Sequence, residues 1–164
     1  MARLTLILGG ARSGKTARAM ALTPAPRAYI ATAEAGDGEM ADRIAAHRAE
    51  RGPDWGLIEA PLELAEAVCS APPGALLIDC LTLWLSNLFA AERDAEVETG
   101  ALLAAIAARE GEVIAVSNEI GLGLVPMEPL SRRFRDAQGR LNQRVAAAAD
   151  RVEFVAAGLP LRLK

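Results

Sequence analysis

The sequence predicts an α/β fold, a mostly parallel sheet with helices on both faces and a hairpin at its C-terminal end. Three observations carry this. Short apolar runs rich in branched residues alternate with helix-compatible runs along the chain, the pattern of repeated strand–helix units. The run Leu4-Thr5-Leu6-Ile7-Leu8 leads straight into Gly9-Gly10-Ala11-Arg12-Ser13-Gly14-Lys15-Thr16, which is glycine, four residues, then Gly-Lys-Thr. A third run, Ala75 to Ile78, ends on Asp79, at the strand terminus where such sheets place ligand groups.

Each element has a local reason. Leu4–Leu8 is the first strand, and Gly14 to Leu22 a helix stopped by Pro24 and Pro26. Arg27 to Ala33 is β-like through Tyr29, Ile30 and Thr32. Asp37 suits the cap of a helix over Gly38 to Arg51, ended by Gly52-Pro53. Trp55 to Glu59 reads as a short strand, and Pro61 opens a helix to Ser70. The strand Ala75–Asp79 is followed by apolar helices over Leu81–Glu92 and Ala95–Arg109. Glu112–Ser117 is a strand of branched residues. After the loop from Gly121 to Pro129, helices are expected over Leu130–Ala137 and Gly139–Ala149, with a break between them. Val152–Ala156 and Leu159–Leu163 form a hairpin around Gly158. No repeat, linker or low-complexity tract interrupts the chain, so residues 1–164 read as one domain.

The 9–16 segment carries the chemistry. Its backbone wraps a polyphosphate with N–H groups pointing inward, and Gly9 and Gly14 supply conformations that a Cβ would forbid. Lys15 brings a point charge to the β- and γ-phosphates, the Thr16 hydroxyl suits Mg²⁺, and the helix start adds its positive dipole end. A chance glycine-rich turn would need neither the strand before it nor the helix behind it. Lysine occurs only at Lys15 and Lys164, with arginine at every other basic position, which marks the ammonium at 15 as chosen over a guanidinium.

Composition excludes other classes. At 52% hydrophobic and 24% charged the chain is of globular type, and a net charge of −3 argues against a nucleic-acid partner. No apolar run approaches the roughly 18 residues of a membrane span, and no signal-peptide pattern precedes Leu4, which predicts a cytoplasmic protein. Cys69 and Cys80 have no metal or disulfide spacing and read as buried free thiols.

Several residues keep two readings on sequence alone. Asp79 either contacts metal or nucleotide, or caps the following helix. His47, the only histidine, shares a helix face with Met40 and Ile44 and is either packed or functional. Arg43, Arg48 and Arg51 suit an anion or a solvated face. Ser117-Asn118-Glu119, the loop Ile120–Pro126 and the stretch 134–143 either line a site or are turn and cap chemistry.

Taken together in order, these segments carry a family resemblance. The matching residues are 9–15, Tyr29-Ile30-Ala31-Thr32, Glu39 to Ile44 with His47, and Trp55 with Glu59. Further on come Asn118 to Pro126, Phe134-Arg135-Asp136, Gly139-Arg140 and Asn142-Gln143-Arg144. Over nearly its whole length the chain resembles the bifunctional adenosylcobinamide kinase / adenosylcobinamide-phosphate guanylyltransferase of cobalamin biosynthesis. The resemblance implies a P-loop NTPase-like (RecA-like) catalytic domain with two reactions. ATP or GTP phosphorylates adenosylcobinamide, and GTP then donates GMP to the resulting phosphate through a GMP–histidine intermediate, releasing pyrophosphate. The histidine carries over to His47, and Lys15 is implied as catalytic beside it.

The implied nucleotide contacts are the 9–16 loop, Ala31, Thr32 and Ala33, Arg48, Ala49, Glu50 and Arg51, Glu59 and Asp79. Mg²⁺ falls to Thr16 and Asp79. A carboxylate suits guanine N1–H and N2–H₂, which favours Glu59 for the base, with a ribose contact the alternative. Some family members have glutamate at position 79, so Asp79 keeps the charge with a side chain one methylene shorter. A propeller-like homotrimer is also implied, with the apolar helices around Trp84–Phe89 and Leu102–Ile106 available for its interface. Two rivals use the same loop: a simple small-molecule kinase in which His47 is structural, and a non-catalytic nucleotide switch, which the missing Asn-Lys-x-Asp motif disfavours.

Overall fold

The computed structural model describes residues 2–33 and 54–164. Their elements are β1 (Arg3–Gly9), α1 (Lys15–Leu22), β2 (Arg27–Ala31), β3 (Trp55–Glu59), α2 (Leu64–Ser70), β4 (Ala75–Asp79), α3 (Leu81–Ala90), α4 (Ala95–Ala108), β5 (Glu112–Asn118), α5 (Pro129–Ala148), β6 (Arg151–Ala156) and β7 (Leu159–Arg162). The helix expected over 38–51, with its Asp37 cap and Gly52-Pro53 stop, lies outside the described residues, as does His47.

The strands form one sheet in the order β3-β2-β4-β5-β1-β6-β7. All neighbours are parallel except the β6–β7 hairpin. The continuous apolar runs are explained by burial on both faces. Leu4, Leu6, Leu76, Ile78, Val113 and Ala115 point to the face covered by α2 to α5. The residues between them, Ile7, Leu77, Ile114 and Val116, point to the face carrying α1. The period of two along each strand thus sorts one apolar run into two cores.

Four expectations are corrected. Residues 130–149 are not two helices but one, α5, running through Gly139. A mid-helix glycine costs about 1 kcal/mol relative to alanine. Ala137, Leu141 and Val145, buried on both sides of it, hold the helix together against that cost. The helix expected from Pro61 starts only at Leu64, because the Pro61 and Leu62 carbonyls are taken by Asn87 Nδ2 (2.9 Å) and Trp84 Nε1 (2.9 Å) of α3. Cys80 is buried but Cys69 is exposed. Trp84, Leu85, Leu88, Leu102 and Ile106 sit in the chain's own core, so the apolar faces of α3 and α4 are not left over for an interface.

One buried charge ties α1 to the sheet. Glu153 of β6, 2% exposed, accepts two hydrogen bonds from Arg18 (Nε 2.8 Å, Nη2 3.0 Å) and a further one from Arg151. The Arg18 guanidinium holds its carboxyl below the usual carboxylate range against the opposing effect of burial, with Arg151 adding to it. A carboxylate depressed in the folded state stabilises above its unfolded pKa and loses that contribution as pH falls. Glu153→Gln is therefore expected to lower stability by about 2 kcal/mol at neutral pH. The gap to wild type should close as urea melts are taken down through about pH 4.

Candidate functional site

The 9–16 segment folds as a loop between β1 and α1, and its three glycines differ in what they require. Gly14 has φ +93°, and a Cβ there would also lie 3.1 Å from Gly158 Cα. Gly9 does not need a forbidden backbone angle, contrary to expectation. It needs space, because a Cβ would lie 2.5 Å from Ser13 Oγ and 2.6 Å from the Val155 carbonyl. Gly10 has no neighbour within 4 Å on its Cβ side, so the loop is open there. Arg12 takes a left-handed φ of 54° and is exposed with Ala11, whereas Ser13 is buried. Lys15 Nζ donates to the Gly10 carbonyl at 2.8 Å, which lays the ammonium across the loop.

A brace the sequence reading did not anticipate holds the loop from behind. The turn of the β6–β7 hairpin, Ala157 and Gly158 with φ of 51° and 77°, places the Gly158 N–H 2.8 Å from the Ser13 carbonyl. On the other side the Glu119 N–H donates to the Gly9 carbonyl at 3.1 Å. Tertiary contacts thus fix both ends of the loop where it runs into the start of α1, the kind of helix N-terminus that favours an anion.

Sheet register brings distant residues to the same end. Ala31 pairs with Glu59 on one side and Asp79 on the other, while Gly9 pairs with Asn118. Glu59 stands exposed at the end of β3, two strand spacings or about 10 Å from Asp79. Asp79 Oδ2 accepts from Tyr29 OH at 2.6 Å and from Thr16 Oγ1 at 3.2 Å. The alternative that Asp79 caps the next helix is answered by Cys80, whose Sγ accepts from the Leu83 N–H that opens α3. Burial, with the Asp79 charge beside it, pushes the Cys80 thiol up to about 11, so it is no nucleophile.

Thr32 serves the backbone. Its hydroxyl donates to the Cys80 carbonyl (2.7 Å) and accepts from the Cys80 N–H (2.8 Å), fixing the peptide that follows Asp79. Ala31 and Ala33 flank it, half-buried. Arg48, Ala49, Glu50 and Arg51 lie outside the described residues with His47.

The remaining polar segments divide between support and surface. Ser117 is fully buried and donates to Asn142 Oδ1 at 2.6 Å, while Gln138 Nε2 donates to both of these side chains at 2.9 Å. Asn142 Nδ2 donates to the Asn118 carbonyl (3.0 Å), and the Asn118 N–H to Thr82 Oγ1 (2.9 Å). This network fastens the end of β5, and through it Gly9, to α5 and α3. Its sequence signal was available: Gln138 and Asn142 are four apart, beside the core positions Ala137, Leu141 and Val145. Arg140 and Arg144 pair with Glu96 of α4, so the basic stretch of α5 is partly a helix–helix tie.

The assembled end of the sheet offers amides, an ammonium, a hydroxyl and a carboxylate around one open loop. Thr16 and Asp79 are hard oxygen donors in contact, the set Mg²⁺ takes when phosphates complete its shell. No cluster of three or more His, Cys, Asp or Glu ligands occurs among the described residues.

Comparison with known proteins narrows what such a site serves. Residues 5–163 match the family model described as cobinamide kinase / cobinamide phosphate guanyltransferase. The bifunctional adenosylcobalamin biosynthesis protein CobP of Pseudomonas aeruginosa is 49% identical, over 97% of this chain and 96% of its own. CobU of Salmonella typhimurium, described in the same words, is 39% identical, over 98% of this chain and 99% of its own. Among solved structures, the flagellar accessory protein FlaH of Methanocaldococcus jannaschii superposes with a TM-score of 0.52 at 12% identity. It covers 99% of this chain and 78% of that one, a likeness of fold alone.

Proposed function

The chain belongs to the cobinamide kinase / cobinamide phosphate guanyltransferase family, and on that premise we propose a role for each part of its site. It is a bifunctional transferase: it phosphorylates adenosylcobinamide, then transfers GMP from GTP to adenosylcobinamide phosphate, giving adenosyl-GDP-cobinamide and pyrophosphate. ATP or GTP serves the first step.

The Gly9–Thr16 loop holds the triphosphate, with Gly10, Ala11, Arg12 and Ser13 contributing backbone amides and Lys15 the fixed positive charge. Thr16 and Asp79 hold Mg²⁺, which when bound spreads the charge of the phosphates. In the kinase step the substrate hydroxyl oxygen bonds to the γ-phosphorus while the bond to the β–γ bridging oxygen breaks, the hydroxyl proton is released to solvent and the nucleoside diphosphate leaves. In the second step a neutral His47 nitrogen bonds to the α-phosphorus while the bond to the bridging oxygen breaks and pyrophosphate departs. An oxygen of the corrinoid phosphate then attacks the same phosphorus, the P–N bond breaks and His47 is regenerated. Glu59 reads the guanine base, while Ala31, Thr32, Ala33 and the Arg48–Arg51 segment line the nucleotide. The protein acts as a cytoplasmic homotrimer, each subunit one catalytic domain. No helix among the described residues is long and apolar enough to cross a membrane.

The observation that carries this reading is the 3.2 Å contact between Thr16 and Asp79, which joins the phosphate loop to the strand ends where Glu59 stands. Incubation with GTP labelled at the α-phosphate, without corrinoid, tests it: acid-labile, base-stable label on the protein is expected. Transfer of γ-phosphate with no α-label would leave only a small-molecule kinase. Asp79→Asn, which keeps the acceptor oxygen but loses the charge, is expected to lower kcat of both steps by about 10²-fold. It should also raise the Mg²⁺ concentration needed for half-maximal rate, measured by titration.

A further inference from the structure

Ile120 to Leu130 is the most exposed apolar stretch of the described residues. Leu122, Leu124 and Met127 are 82%, 96% and 95% exposed, with Ile120, Val125 and Leu130 also open to solvent. Beneath it lies a cleft of about 530 Å³ between α3 and the first turns of α5, lined by Ser86, Phe89, Ile120, Pro126, Leu130 and Phe134. Two of its lining residues, Phe89 and Phe134, pack edge to face at 5.4 Å. Ser131 and Arg135 add polar groups at its wall.

We propose that this cleft holds the corrin ring of the cobinamide substrate and presents its alcohol arm to the phosphate loop. Three observations select that occupant. The cleft lies close to the nucleotide site: Gly9 pairs with Asn118, and Ile120, which lines the cleft, follows two residues later. The Ile120 Cα is therefore within about 12 Å of the Gly9 Cα, the sum of one strand spacing and two extended residues. The propionamide–aminopropanol arm, about seven bonds from ring carbon to hydroxyl oxygen and so about 8 Å when extended, covers most of that range. The lining suits a macrocycle whose faces and methyl groups are apolar and whose fringe is amide: aromatic and aliphatic walls with serine and arginine at the edge. The volume lies in the range of small-molecule sites, roughly 300–1,000 Å³, and the surface is concave.

The inference rests on the family's corrinoid substrate and not on the histidine step, which α-labelling with GTP alone reads separately. Ser86 is exposed and Leu130 is half-exposed in the first turn of α5, so both positions accept substitution without opening the core. Ser86→Trp, which fills the cleft, and Leu130→Ser, which strips its wall, are each expected to raise KM for adenosylcobinamide about tenfold or more. The Kd for GTP should stay within about twofold, since neither residue belongs to the proposed nucleotide-binding set, and the sedimentation mass should not change. An unaltered corrinoid KM in Ser86→Trp overturns the proposal. So does an equal weakening of GTP, or a fall in oligomeric mass, which would assign the surface to a second copy.

Discussion

Replacing His47 with alanine is expected to abolish guanylyl transfer, a loss of about 10⁴-fold or more, while ATP-dependent phosphorylation of adenosylcobinamide continues within about threefold of wild type. The asymmetry follows from the two transfers. Phosphoryl transfer to a hydroxyl goes through a loose transition state that needs positioning and charge stabilisation but no covalent participant. Transfer through an enzyme-bound GMP requires a side chain that forms and then releases a bond to phosphorus. His47 is the only imidazole in the chain, and the thiol nearest the loop, Cys80, is buried and protonated. Separate assays of γ-phosphate transfer and α-label retention, run on the same preparation, measure both predictions. Retention of α-label by the alanine variant would remove His47 from the mechanism.

Lys15→Met is expected to lower both half-reactions together, by about 10²- to 10³-fold in kcat each, the size associated with deleting one charge-stabilising donor. Both steps drive a leaving group whose charge grows on the β- or γ-phosphate oxygens, and in the proposed mechanism both use the loop between Gly9 and Thr16. Lys15 Nζ now bonds the Gly10 carbonyl across that loop, a pose that stores the ammonium where a phosphate oxygen will compete for it. Lys15→Arg is expected to recover little, because a planar fork does not fit the space of a compact ammonium. Steady-state kinetics of the two steps, with nucleotide Kd from calorimetry, distinguish loss of chemistry from loss of binding. A variant with normal kcat and only a raised KM would make Lys15 a simple binding group.

The strand and helix pattern was legible because it is written in short-range periodicity. Seven strands were each located within two or three residues, and so was the phosphate loop, whose function resides in eight contiguous positions. Errors fell where a local signal competed with packing. Gly139 looked like a helix break, yet α5 continues because the residues around it are buried against the sheet and α4. Trp84 and Leu102 looked like surplus apolar surface, yet the sheet covers them.

What the chain determined by itself is therefore the α/β alternation, the nucleotide loop and, through ordered motifs, the family. Folding alone decided which distant groups meet. Tyr29 reaches Asp79 across 50 positions, Gly158 braces Ser13, and Gln138 and Asn142 clasp the end of β5. The same process left Ile120 to Leu130 uncovered over a cleft instead of burying it. Local propensity acts between neighbours in sequence, whereas hydrogen-bond partners and apolar contacts are chosen by proximity in space, which exists only once the sheet has set its strand order.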